Sequence, residues 1–174
     1  MDKKLQRIEH VTDIQAPAKM VWQHVTEVDI ASFRHPAYFT LLGIPKPLRA
    51  EVTQPGVGGR RVAFFDNGRT FTQKIITWQP YTRYDFTFRA DPGFRVGYLL
   101  DLSAGPFQMK SGSYRLVPEG DGVRLILLSQ YELRGFWGWC LAIPVRLVLD
   151  LFPRYLLRGI RANAERDAAH APRH

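Results

Sequence analysis

The stretch PVRLVLDLFPRYLLRGIRANAE, residues 144–165, decides the fold. Val145, Val148, Leu149, Phe152, Leu156 and Ile160 recur at helical spacing and form one apolar stripe. Arg146, Asp150, Arg154, Arg158, Arg161 and Glu165 form the opposite, charged stripe. Arg146/Asp150 and Asp150/Arg154 are four residues apart, and such pairs contribute roughly 0.3 kcal/mol each. Pro144 suits the first turn of a helix. Pro153 lies inside the pattern and is expected to kink or break it, because it deletes the backbone bond to Leu149. Beyond Asp167 the tail is expected to fray. A long helix with one apolar stripe needs an apolar surface to lie on.

The preceding residues supply that surface. Segments 7–14, 48–53, 59–66, 69–78, 82–89, 108–117 and 122–133 read as strands. In 82–89, Tyr84, Phe86 and Phe88 share one face, with Arg83, Asp85, Thr87 and Arg89 on the other. Val123, Leu125, Leu127, Ser129 and Tyr131 repeat that alternation. Asp66-Asn67-Gly68 and Glu119-Gly120-Asp121-Gly122 mark tight hairpins. Two short helices are expected after the first strand, one opening at Pro17 and one capped by Asp29 and running to about Phe33. Segment 36–47 reads as an apolar loop, and 90–106 as an irregular excursion. The fold class is therefore α+β: a curved antiparallel sheet of about seven strands wrapped around a long C-terminal helix. With 174 residues and no repeat or linker, one domain is expected, residues 1–174, with an ordered core at about 7–167.

Composition narrows the function. Hydrophobic residues at 45% and charged residues at 23% exclude a disordered chain. The net charge is +8, and half of the surplus lies in residues 134–174, which carry 7 basic and 3 acidic side chains. A basic balance suits nucleic acid, an anionic membrane or an acidic ligand. No nucleic-acid motif accompanies it, so nucleic acid is not an expected partner. Residues 135–145 are uncharged, but eleven helical residues reach only about 16 Å, half a bilayer core. No apolar block follows the first residues, and the single cysteine, Cys140, excludes a disulfide framework; a cytoplasmic location is expected.

A set of short segments in a fixed order carries a resemblance. They are IQAPAKMVW (14–22), LGIPKPLRA (42–50), PGVGGRR (55–61), the strand Phe71 to Pro80, GSYRLVP (112–118), SQYE (129–132) and LRGIRANAE (157–165). Over roughly residues 7–166 the chain resembles the START-like superfamily, also called SRPBCC or helix-grip, in its polyketide cyclase/dehydrase-like branch. The resemblance implies a helix-grip fold around a ligand cavity. Members bind lipids, sterols, polyketides and other amphiphiles, and some are cyclases or dehydratases.

Conventional catalytic constellations are missing from the sequence. Gly56-Val57-Gly58-Gly59 is followed by neither Gly-Lys-Ser/Thr nor a helix and reads as a turn. His10, His24, His35, His170 and His174 show no metal-ligand spacing, so neither metal nor cofactor is expected. No Gly-x-Ser-x-Gly is present, Ser111 and Ser113 sit on a strand, and Asp66, Asp85 and Asp101 are scattered. Cys140 lies in an apolar run, which disfavours the thiolate.

What remains is an apolar interior. A sheet bent around a helix leaves a concave space, and the residues expected to line it are His35, Tyr38, Phe64, Phe71, Trp78, Tyr84, Phe86, Phe88, Tyr98, Met109, Tyr131, Leu149 and Phe152. Tyr114 and Ser129 face the same way. The expected partner is a hydrophobic or amphipathic small molecule, lipid- or polyketide-like. A second reading is a cyclase or dehydratase acting on such a molecule, with His35, Tyr84 and Tyr131 moving protons and Arg61 polarising a carbonyl if it faces inward. A third is a weak contact with an anionic membrane surface through Trp137, Trp139 and the Arg146, Arg154 and Arg158 stripe. The sequence leaves the oligomeric state open.

Overall fold

A computed structural model describes residues 4–96, 100–101 and 105–171, with the backbone alone for residues 4, 100 and 137–139. Strand β1 (Lys4–Ile14) leads into helix α1 (Ala18–Thr26), the short strand β2 (Val28–Asp29) and helix α2 (Ala37–Leu41). The meander follows: β3 (Pro47–Val52), β4 (Arg60–Phe65), β5 (Thr70–Gln79) and β6 (Arg83–Ala90). A two-stranded ribbon, β7 (Arg95–Val96) and β8 (Leu100–Asp101), interrupts it before β9 (Phe107–Glu119) and β10 (Gly122–Leu133). Helix α3 (Gly135–Cys140) precedes α4 (Ala142–His170), the long C-terminal helix. The main sheet has the order β1-β10-β9-β6-β5-β4-β3-β2 and is antiparallel at every pairing. Its edge strands are thus β1 and β2, the elements that flank α1.

All seven strand segments read from the sequence form. The helices differ from expectation in four ways. Val28–Asp29 pairs with Ala50 and Arg49 as an eighth strand, so Asp29 starts no helix; its side chain accepts from the Ala31 amide at 3.3 Å. The second short helix lies instead at Ala37–Leu41, inside the segment read as loop, with Pro36 before its first turn. Helix α4 continues through Pro153 and on past Asp167 to His170. Pro153 is buried against the cavity described below, and His24 holds Asp167 at 2.8 Å, so packing outweighs the lost backbone bond and holds the end. Cys140 is exposed rather than enclosed by its apolar neighbours.

Three apolar clusters form the interior. The largest joins α1 (Val21, Trp22, Val25) and the second half of α4 (Leu157, Ile160, Ala164) to Tyr84, Tyr114 and Leu125 of the sheet. The second collects Phe107 and Tyr131 around Val145 and Leu149. The third collects Phe39, Ile44, Phe94 and Val96 against Phe152 and Tyr155. The far half of α4 is therefore packed solidly, whereas its first half divides its contacts between two smaller clusters. Polar ties hold the helix in place: His10 to Asp150 at 3.1 Å, Asn163 Nδ2 donating to the Asp29 carbonyl at 2.7 Å, and the Gln15 amide donating to Glu165 at 3.0 Å.

Gly159 sets the approach of α4 to the β2 end of the sheet. A Cβ there would stand 2.6 Å from Cγ2 of Ile30, a branched, fully buried side chain with no room to retreat. Gly159→Ala gains about 1 kcal/mol in helix propensity, but overpacking a closed core costs roughly 1–3 kcal/mol. The expected outcome is a net fall in melting temperature; an unchanged or higher value would contradict the close approach.

Asp85 makes a pH-dependent contribution. It is buried, bonded by Ser113 and paired with Arg83 at 2.6 Å. Burial pushes its carboxyl up, but hydrogen bonds from Arg83, Ser113 and Thr77 and the Arg83 charge outweigh this and hold it below the ordinary value. A depressed folded-state value stabilises the fold above the unfolded value of about 3.9, and that stability is lost as pH falls through the folded one. Asp85→Asn should therefore unfold more easily than the parent near neutral pH, with the difference shrinking below about pH 4. A difference that stays constant from neutral to acid pH would rule this out.

Candidate functional site

A cavity of about 140 Å³ opens where the three clusters fail to merge, between the inner face of the sheet and the first half of α4. One wall is helical: Val145, Val148, Leu149, Phe152, Pro153 and Leu156. The sheet supplies the other, chiefly Ala50, Ala63, Phe71, Phe86, Phe88 and Met109. Ile44, Pro45 and Pro47, with Phe94 and Val96, close one end. Alternation explains the sheet wall, since Arg61, Ala63 and Phe65 share one side of β4 and Phe71 and Gln73 one side of β5. Ala50 and Ala63 stand opposite each other in the β3–β4 register, and Ala63 also opposes Phe71. Two small side chains at adjacent positions leave the space that larger ones would fill. Gly112 contributes differently. It lies opposite Phe86, where a Cβ would stand 2.5 Å from the Phe86 ring and 3.2 Å from Phe88, so its bareness lets both rings lie across β9.

The polar part of the wall is small and organised around Arg61. Only 3% of this residue is exposed. Its Nε donates to the Thr26 carbonyl at 3.1 Å and its Nη2 to the Val25 carbonyl at 3.0 Å. These belong to the last turn of α1, whose carbonyls lack helical partners and carry the negative end of the helix dipole. Nη1 donates to Gln73 Oε1 at 3.0 Å, which also accepts from the Tyr84 hydroxyl at 3.0 Å. The guanidinium thus rests on two main-chain oxygens and an amide oxygen, and among the described residues no carboxylate lies within ion-pair distance of it. Burial pushes the Tyr114 and Tyr84 hydroxyls far up despite the pull of Arg61, so both stay protonated at neutral pH. Tyr114 and Ser129 complete the polar wall; Arg49 also borders the cavity, but its guanidinium lies 4.7 Å above the Phe64 ring on the other side of the sheet.

The structure brings together Phe71, Phe86, Phe88, Met109, Leu149 and Phe152, all expected at the site, and places Arg61 inward beside them. It sets others apart. Phe64 lies on the opposite side of β4 from Ala63 and Phe65, under Arg49. Trp78 packs edge to face on Trp22 at 5.0 Å, and Tyr84 stacks on Phe86, both within the main core. Tyr131 is buried against Phe107. His35 sits edge-on to Phe39 at 5.5 Å, and Tyr38 flanks the same ring from the surface. Tyr38, His35, Phe64, Trp78, Tyr84 and Tyr131 therefore do not line the cavity; each meets a neighbouring ring or cation first. Tyr98 lies outside the described residues. Gln73 was legible from its alternation with Phe71, but a lone glutamine carries no chemical motif.

No protein-family model matches the chain, and no curated protein matches it in sequence. Solved structures do match. A protein from Nitrosospira multiformis superposes with a TM-score of 0.58 at 17% identity, covering 91% of this chain and 96% of its own. Ara h 8.0201 gives 0.57 at 14%, covering 92% and 98%. Truncated norcoclaurine synthase from Thalictrum flavum gives 0.56 at 16%, covering 99% and 98%. These likenesses, with the curled sheet and long terminal helix, define the fold as helix-grip. Among the described residues no helix is long and apolar enough to cross a membrane.

Proposed function

We propose that the chain forms a single START-like domain of the polyketide cyclase-like branch, and that it binds a hydrophobic or amphipathic small molecule between its sheet and α4. The observation that carries this reading is the apolar cavity of about 140 Å³ with one compact polar wall. Apolar cavities of that size admit a single aromatic ring, and the rest of a longer molecule would extend beyond it. Burying roughly 300 Å² of apolar ligand surface contributes roughly 7 kcal/mol, which caps the affinity from this source at about 10 µM before ordering costs weaken it. Among the described residues the lining holds neither histidine nor carboxylate, which favours carriage over proton-transfer catalysis. The fluorescence of the neutral probe N-phenylnaphthylamine should rise saturably on addition of the protein, and long-chain alcohols should displace it. Absence of saturable, displaceable binding would overturn the reading.

A second reading has its own observation. Phe136, Ile143 and Leu147 at the start of the helical region are exposed, at 66%, 83% and 45%, beside the exposed Arg146. Apolar side chains next to arginine suit an anionic membrane surface. Flotation with phosphatidylserine vesicles at low salt should carry the protein upward, and Ile143→Asp should reduce it. Protein that stays at the bottom would remove this reading and leave the cavity untouched.

A further inference from the structure

We infer that the polar end of the ligand is an anion, a carboxylate in the first instance, and that Arg61 receives it. The inference rests on the cavity-binding reading above. Of the five N–H donors of Arg61, three are matched, by Thr26, Val25 and Gln73. One hydrogen on each terminal nitrogen remains, the number that a carboxylate takes in a bidentate pair. Both belong to a side chain that lines the cavity and is almost wholly removed from water. The carbonyl dipoles of α1 offset part of the buried charge, but none of the three acceptors is itself charged. An arriving anion would complete the compensation where water screens poorly. Charge in the lining has one sign: among the described residues its only charged members are Arg49 and Arg61. The Arg49 guanidinium lies over Phe64 on the other side of the sheet, so Arg61 is the cation placed to seat an anion.

Gln73 is the positioning residue. Its Oε1 is held by the Tyr84 hydroxyl and in turn holds Nη1 of Arg61, so the guanidinium is fixed before a ligand arrives.

The test uses three probes sharing one alkyl chain: dodecanoate, dodecanol and dodecyltrimethylammonium, titrated by calorimetry into the full chain near neutral pH. The expected order is carboxylate tightest, alcohol weaker by about tenfold or more, ammonium weakest. Gln73→Glu keeps an acceptor for both Arg61 and Tyr84 but neutralises the guanidinium locally, so the folded variant should lose the preference for carboxylate over alcohol. Circular dichroism verifies that it folds. Alcohol bound as tightly as carboxylate by the parent overturns the anion assignment and leaves the cavity reading standing. Failure of all three probes to bind overturns both. A carboxylate preference that survives Gln73→Glu would place the anion elsewhere and refute Arg61.

Discussion

Replacing Arg61 by alanine lowers the free energy of unfolding by about 3–5 kcal/mol in urea denaturation, the largest single-residue effect expected in this molecule. Three acceptors lose their donor at once: the Val25 and Thr26 carbonyls and Gln73 Oε1. Leaving a buried acceptor unmatched costs roughly 1–3 kcal/mol, and the two carbonyls also lose the cation that complements the end of α1. Buried charges are not always stabilising, because replacing a whole ion pair by apolar groups is often neutral. Here only one side of the interaction is removed, and the acceptors stay behind. Arg61→Lys should fall between the two, since an ammonium offers three donors without the planar fork. A loss below about 1 kcal/mol for the alanine variant would mean that water replaces the guanidinium, and that the end of α1 does not depend on it.

Ala63→Phe should reduce the affinity for N-phenylnaphthylamine by more than about tenfold while the protein still unfolds cooperatively. Ala63 lines the cavity, opposite Ala50 on one side and Phe71 on the other. An added ring would enter a space of about 140 Å³, the size that holds one benzene. Filling an existing void costs far less than overpacking a closed core, so stability should change by about 1 kcal/mol or less, in either direction. The same volume cannot then hold a guest. Undiminished probe binding would place the probe elsewhere on the molecule. A sharp loss of stability would mean the void is smaller than the geometry describes.

The sheet was legible because its strands alternate cleanly and its hairpins carry Asn-Gly and Gly-Asp-Gly. The helical stripe was legible because Val145, Val148, Leu149, Phe152 and Leu156 keep their spacing, and those five residues form the helical wall of the cavity. Pro153 does not break the helix, since the sequence shows the bond it removes but not the packing that compensates. The wall's aromatic residues were half legible. Alternation puts Phe71, Phe86 and Phe88 inward, but it cannot tell the open end of a curved sheet from the filled end, where Trp78 packs against both Trp22 and Tyr84. Phe64 shows a different difficulty. Its strand has aromatic residues on both faces, so composition does not choose between Phe64 and Phe65. Arg61 was visible as a conditional candidate. Its partners lie 35 and 36 residues away on α1, a distance across which no local pattern speaks.

The direct test of the cavity is methyl-resolved NMR during titration with dodecanol. Saturable shifts are expected at Val145, Val148, Leu149, Leu156 and Met109, with the surface methyls of Leu5, Val11 and Val117 unmoved. Shifts confined to the surface methyls, or none at any methyl, would show that the space between sheet and helix takes no guest.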